Sequence, residues 1–375
     1  MARKPSRTDG DTAALRRPAE QRYVEELTRL ANEDSDPRPP GWRLSAKAVR
    51  RFIIGDEKRG VSRKFYGDDA LVDRAIVTLI SAQGLMLVGE PGTAKSMLSE
   101  LLAAAVSGTS DLVVQGSAGT TEDHVRYSWN YAVLLAQGPS ETALVPSPVL
   151  SAMRYGRIVR VEELTRCPPE IQDTMISILS EKTIAIPELG DDNPSRIVRA
   201  CPGFNVIGTA NLRDRGVHEM SSALKRRFNF ETVHPIADPN FERELILSQL
   251  KERVPEDTAR LALAPDVLDI IVSTFHELRT GRSKEGIQIA RPEAVMSTAE
   301  AVNVAHASLL EATYLGPTKV SGQHIANQLH GVVLKDNSED GKKFRAYLEH
   351  VAKPRAEANP AWRAFYEAAR KQRLT

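Results

Sequence analysis

Two cysteines in 375 residues, Cys167 and Cys201, are too few to staple a fold with disulfides, and neither has another Cys or a His at metal-ligand spacing. That usage fits a reducing compartment, so a cytoplasmic protein is expected. Runs of eighteen apolar residues are also missing. The opening stretch MARKPSRTDGDTAALRRPAE carries charge throughout and has no apolar core, so neither a signal peptide nor membrane insertion is expected. Charge of one sign is not in excess either. Lys plus Arg at 50 against Asp plus Glu at 49 leaves a net +1, which argues against a nucleic-acid-wrapping protein and leaves room only for local basic patches. What is present is a 41% hydrophobic content in a chain longer than one ordinary domain, enough for two or three packed units with real cores.

Residues 1–45 mix Arg, Asp, Pro and Gly around one amphipathic stretch, AEQRYVEELTRLANE, and read as a flexible N-terminal arm. Beyond it the pattern becomes regular. DDALVDRAIVTLISAQ has helical spacing, LMLV is an apolar strand, and SMLSELLAAAVSG is a helix closed by Gly108. DLVVQG, GRIVRVEEL and FNVIGTANL read as further strands, with PPEIQDTMISILSEK as a helix opened by prolines. Strands alternating with helices predict an α/β fold, a parallel sheet covered on both faces, over residues 46–235. After about residue 236 the strand signals stop, and residues 236–335 read as an all-helical unit. The charged break KDNSEDGKK then precedes a helical tail over residues 336–375.

The stretch LMLVGEPGTAKSML runs a strand through glycines into a helix, a geometry that turns backbone N–H groups toward a polyphosphate. In the GxxxxGK[ST] pattern Gly89, Lys95 and Ser96 match, while Ala94 stands where the second glycine belongs. Alanine suits that place if its dihedrals are already helical, because only positive φ demands glycine. The cradle is then Gly89, Glu90, Pro91, Gly92, Thr93 and Ala94, with Lys95, Ser96 and Met97 opening the helix. Lys95 is suited to the β and γ phosphates and the Ser96 hydroxyl to Mg2+. Glu162 and Glu163 end a buried strand, where ligands collect in open α/β sheets. There Glu162 orients the metal through water and Glu163 polarises the attacking water. Asn211 ends the next strand and is a candidate for positioning that water. Arg226 and Arg227 are candidates for an arginine supplied to a neighbour's nucleotide, which needs head-to-tail subunits. Pro292 suits a first helical position, which puts Arg291 at a helix entrance within reach of the γ phosphate.

Taken together, GEPGTAKS at 89–96, VEEL at 161–164, TAN at 209–211, ALKRRF at 223–228 and ARPEA at 290–294 resemble the ordered motifs of an AAA+ ATPase: Walker A, Walker B, sensor 1, the arginine-finger segment and sensor 2. The Ala-Lys-Ser ending and the stretch EELTRCPPEIQDTMISILSEKTIAI are similar to the MoxR group. The resemblance spans roughly residues 46–335. It implies a P-loop αβα sandwich followed by a helical lid, with a helix-2 insert near residues 132–153 and a hairpin before sensor 1 near residues 182–203. It further implies ATP and Mg2+ as cofactors, a homo-oligomeric ring, a hexamer, and a protein client of the von Willebrand A type. Two residues depart from the pattern. Glu162 replaces the usual Asp, and Arg160 interrupts the apolar Walker B strand, where thinner packing is expected. These departures keep a nucleotide-dependent switch with little turnover as an alternative, and a nucleic-acid-associated motor is a third reading.

Overall fold

The computed structural model of this chain describes all residues except 1–15, 82, 212–215, 254–262, 295, 317–318, 336 and 373–375. Nine strands occur among them: β1 Gly84–Val88, β2 Val113–Gln115, β3 Tyr127–Trp129, β4 Leu144–Pro146, β5 Ile158–Glu162, β6 Thr183–Ala185, β7 Ile197–Arg199, β8 Asn205–Ala210 and β9 Phe228–Thr232. Five form one sheet in the order β2-β5-β8-β1-β9, with every neighbouring pair parallel. The register sets Leu85 of β1 beside Ile207 of β8 and Asn229 of β9. β9 carries Asn229 and Glu231 among its aromatics and has no strong strand signal of its own, so its place beside β1 was not expected.

Side chains alternate across each strand, so Leu85 and Leu87 enter one core while Met86 and Val88 enter the other. The first core is closed by helices Ala46–Ile54, Asp69–Ile80 and Lys95–Ser107, the second by helices Pro148–Tyr155 and Pro169–Glu181. These helices start where capping chemistry exists. Ser45 accepts from the Ala48 N–H and is itself held by both oxygens of Asp34, at 2.7 Å each. Gly108, in the left-handed conformation at φ 71°, ends Lys95–Ser107.

The N-terminal segment expected to be a flexible arm is packed from residue 16 onward. Ala19, Leu27 and Leu30 are buried in the same core as Phe52 and Leu98. The carboxylate of Glu100, only 4% exposed, accepts from Arg16 at 2.7 Å and Arg22 at 3.0 Å. Gly41 shows how close the fit is: at φ 80° a Cβ there would lie 2.0 Å from the carbonyl oxygen of Pro202. The first fifteen residues of that arm lie outside the described residues.

From Pro239 onward the α-helices are Pro239–Arg253, Pro265–Thr280, Thr298–Tyr314, Gly322–Val333, Ser338–Tyr347, Lys353–Ala358 and Pro360–Ala369, and no named strand occurs among the described residues there. The charged break does not separate two units. Phe344, Tyr347, Trp362 and Phe365 lie in one core with Ile271, Phe275 and Leu329. Two excursions leave the sheet. β3 and β4 pair antiparallel around the short helix Tyr131–Gln137, so the expected insert starts a few residues earlier and its last part is the packed helix Pro148–Tyr155. β6 and β7 form an antiparallel hairpin within residues 182–203. No helix among the described residues is long and apolar enough to cross a membrane.

Candidate functional site

β1 ends at Val88 and the chain turns sharply over the sheet's carboxyl edge into helix Lys95–Ser107. A Cβ at Gly89 would lie 2.4 Å from the Val233 carbonyl oxygen, and one at Gly92, φ 75°, would lie 2.4 Å from Cβ of Ser297 in the helical unit. The turn is therefore pressed between the sheet and the lid, and neither glycine can be replaced without backbone movement. Ala94 corrects the sequence expectation: its dihedrals, φ 70° and ψ 21°, are left-handed and not helical. The turn needs this conformation to aim the helix N-terminus, so alanine carries the strain that glycine avoids. Left-handed strain of about 1–2 kcal/mol outweighs the roughly 0.4–1 kcal/mol of added chain entropy that glycine brings. Ala94→Gly is therefore expected to stabilise the fold by about 0.5–1 kcal/mol, read as a higher urea midpoint at unchanged slope.

Lys95 lies back along the turn, its Nζ donating to the carbonyls of Gly89 at 2.9 Å and Glu90 at 2.8 Å. Burial pushes its ammonium below the usual lysine range, against the carboxylates of Glu163, Glu162 and Glu90. Pro91 through Met97, together with Glu163, line a cleft of about 370 Å³ whose other wall comes from Phe65, Tyr66, His234 and the helical unit. The lid's polar contributions there are Gln249, Arg253, Arg279, Ser297 and Thr298. The Arg279 guanidinium is held by both oxygens of Glu242, at 2.9 and 2.8 Å, and by Thr298.

Behind Ser96 lies Glu162, at the end of β5. Its Oε2 accepts from Ser96 Oγ at 2.7 Å and Thr209 Oγ1 at 2.8 Å, and its Oε1 from Ser99 Oγ and Arg160 Nη2, both at 2.7 Å. Burial alone would raise this carboxyl; the Arg160 guanidinium and the three hydroxyls outweigh it and hold it below the usual carboxylate range. Arg160 does not thin the packing as expected. It is 8% exposed and makes three further bonds, to Ser99 Oγ, Ser110 O and Ser96 O. Residues 160 and 162 share one face of the strand, so their pairing was available in the sequence as an i, i+2 spacing.

Glu163 is the next residue and is left-handed at φ 54°, a strained backbone of the kind that collects at functional sites. Thr209 holds both acids, accepting from the Glu163 N–H at 3.0 Å while donating to Glu162. Glu163 Oε2 is buried and has no hydrogen-bond partner among the described residues, although Arg166 Nε forms an ion pair with it at 3.8 Å. Asn211 directly follows β8, the strand between those that carry Glu163 and Gly89, and is 6% exposed.

The remaining predicted residues lie away from this cleft. Arg227 donates to Ala223 O at 2.5 Å and to Ser180 Oγ, whereas Arg226 is exposed and has no side-chain partner among the described residues. Arg291 does not open a helix. The helix starts seven residues further on, at Thr298, where Ser297 and Glu300 form a capping box, and Arg291 donates to Thr280 O at 2.6 Å over Gly281. The S-T-A-E spacing was the sequence signal for that start, and it outweighs Pro292 because it satisfies two end N–H groups at once. Ser99, Phe65, Tyr66, His234 and Arg279 reach the site without any motif that marks them, and Thr209 lies in the TAN stretch but was given no role there.

Residues 84–228 match the AAA domain of the dynein-related subfamily, and residues 240–373 match the YehL-like AAA+ ATPase C-terminal domain. The chain is 46% identical over 353 residues to the YehL protein of Escherichia coli, covering 94% of this chain and 96% of that protein. It is 28% identical over 194 residues to Chaperone MoxR1 of Mycobacterium tuberculosis, 50% of this chain and 45% of that one. Among solved structures, NtrX from Brucella abortus aligns at 12% identity and a TM-score of 0.47, over 81% of this chain and 64% of that chain. Nearly half identical to one relative across almost both lengths, and carrying an AAA domain that leads into the YehL-like one, the chain belongs to the YehL-like family of MoxR-type AAA+ ATPases.

Proposed function

We propose that this chain binds ATP with Mg2+ in the cleft between sheet and lid, hydrolyses it, and uses the cycle within a cytoplasmic ring of copies, a hexamer, to remodel a protein client. The observation that carries the reading is the buried Oε2 of Glu163, which lacks a hydrogen-bond donor among the described residues, in a cleft that also holds Lys95. A buried acceptor oxygen without a donor is costly in a protein interior, and a water between it and the γ phosphate would satisfy it.

The chain's own groups divide the work. The turn's backbone N–H groups and the start of helix Lys95–Ser107 hold the phosphates, and Lys95 exchanges two carbonyls of the turn for phosphate oxygens. Ser96 donates its hydroxyl hydrogen bond to Glu162 and keeps oxygen lone pairs for a metal, and Glu162 would hold that ion through water, so the residues fit Mg2+. Bound there, Mg2+ would neutralise charge on the β and γ oxygens. Glu163 takes the proton of the attacking water, with Asn211 positioning that water from the intervening strand. The lid cation in this reading is Arg279, which lines the cleft, and not Arg291. Arg226, exposed and unpaired among the described residues, is better suited than Arg227 to reach the nucleotide of an adjacent copy.

The client reading rests on the name Chaperone carried by MoxR1 and on helix Tyr131–Gln137, which buries no residue and exposes Tyr131 and Leu135. A von Willebrand A domain is the client class proposed. The test is phosphate release by the purified chain, paired with its mass by light scattering with and without ATP. Turnover together with a nucleotide-dependent ring is the expected result. Binding and assembly without phosphate release would favour the second reading, a nucleotide-dependent switch, which the neutralised Glu162 supports.

A further inference from the structure

We infer that Arg160 is a positioning residue that acts as a fixed internal counter-cation to Glu162, so that nucleotide binding by this chain is only weakly coupled to Mg2+. The inference rests on the ATP site proposed above and concerns how that site treats its metal.

The carboxylate of Glu162 has about four lone-pair sites, and four donors already point at them: Ser96, Ser99, Thr209 and Arg160, all within 2.8 Å. A metal-bound water that also donates to Glu162 must displace one of these. The Arg160 side chain is 10% exposed and that of Glu162 7%, so the pair is desolvated together and its net charge is zero before any ligand arrives. A lone carboxylate at this place would present a full negative charge to a divalent ion; this pair presents none. The guanidinium is also not free to leave. Besides Glu162 it is tied to the helix of the phosphate turn through Ser96 O and Ser99 Oγ, and to the chain before β2 through Ser110 O. The longer side chain of Glu at 162 fits the same arrangement, because its carboxylate spans hydroxyls at the start of the helix and one turn in. The charge that usually draws the metal is thereby spent on tying β5 to the helix of the phosphate turn.

The test is equilibrium binding of a fluorescent, non-hydrolysable ATP analogue to the full chain, in EDTA and in saturating Mg2+. The ratio of the two affinities measures the coupling. The unaltered chain is expected to show a ratio below about threefold, and Arg160→Met a ratio at least about tenfold larger, inside the usual range of coupling between bound ligands. Arg160→Lys, which keeps the charge, is expected to return the ratio toward the unaltered value. A purely structural arginine would shift both affinities together and leave the ratio unmoved. An unaltered chain that gains a hundredfold from Mg2+, or an Arg160→Met chain whose ratio equals it, overturns the inference. The first of these needs no variant, so it decides even if Arg160→Met fails to fold. Absence of binding in both buffers would instead sink the ATP reading itself, and this inference with it.

Discussion

Lys95→Ala is expected to weaken ATP binding by at least about 100-fold, because two charge-assisted hydrogen bonds to phosphate are each worth roughly 1.5–3 kcal/mol. Among the described residues the other cations near the cleft are committed elsewhere: Arg279 to Glu242 and Thr298, Arg253 to Asn303 and Gln249, and Arg160 to Glu162. The substitution also leaves the carbonyls of Gly89 and Glu90 without the donor they now share. A small loss of stability should therefore accompany it, and a thermal melt separates that loss from the binding defect. Titration with a fluorescent ATP analogue reads the affinity. Unchanged affinity in a folded Lys95→Ala chain would remove the turn as the phosphate site.

Glu163→Gln should do the opposite, leaving binding intact and lowering phosphate release by about 10²–10⁴-fold, the span assigned to a positioned general base. Glutamine has the same shape and leaves the backbone bond to Thr209 in place, so the left-handed turn at this residue is preserved. What it removes is the basic oxygen, the one that has no hydrogen-bond donor among the described residues. Phosphate assays on the two proteins side by side give the result, with analogue binding as the control. Normal turnover by Glu163→Gln would assign the proton to another group.

Where the sequence was readable, the reason was periodicity and punctuation. Strand β1 is an unbroken apolar run, β5 and β8 are mostly apolar, and helix Lys95–Ser107 ends at a glycine in the conformation that glycine permits. Where it was not readable, the missing information was a partner. Ala19, Leu27 and Leu30 look like stray apolar residues in a charged segment until Phe52 and Leu98 are placed against them. Arg160 looks like a flaw in a strand until Glu162 and Ser99 receive it. Arg291 and Pro292 suggested a helix entrance because local propensity favours one there, yet the capping box at Ser297 is the stronger local signal.

The sequence by itself determined the parallel αβα layering, the helical second half, the phosphate turn and the two acids at the end of β5, because each depends on residues adjacent in the chain or spaced at the period of one element. Tertiary structure alone decided that the N-terminal segment and the tail are packed, that Arg279 and not Arg291 faces the cleft, that Ala94 bears left-handed strain, and that Glu162 is already paired. Those are contacts between residues distant in sequence, and a long-range contact is chosen by the shape and charge of what arrives from elsewhere, which no local pattern carries.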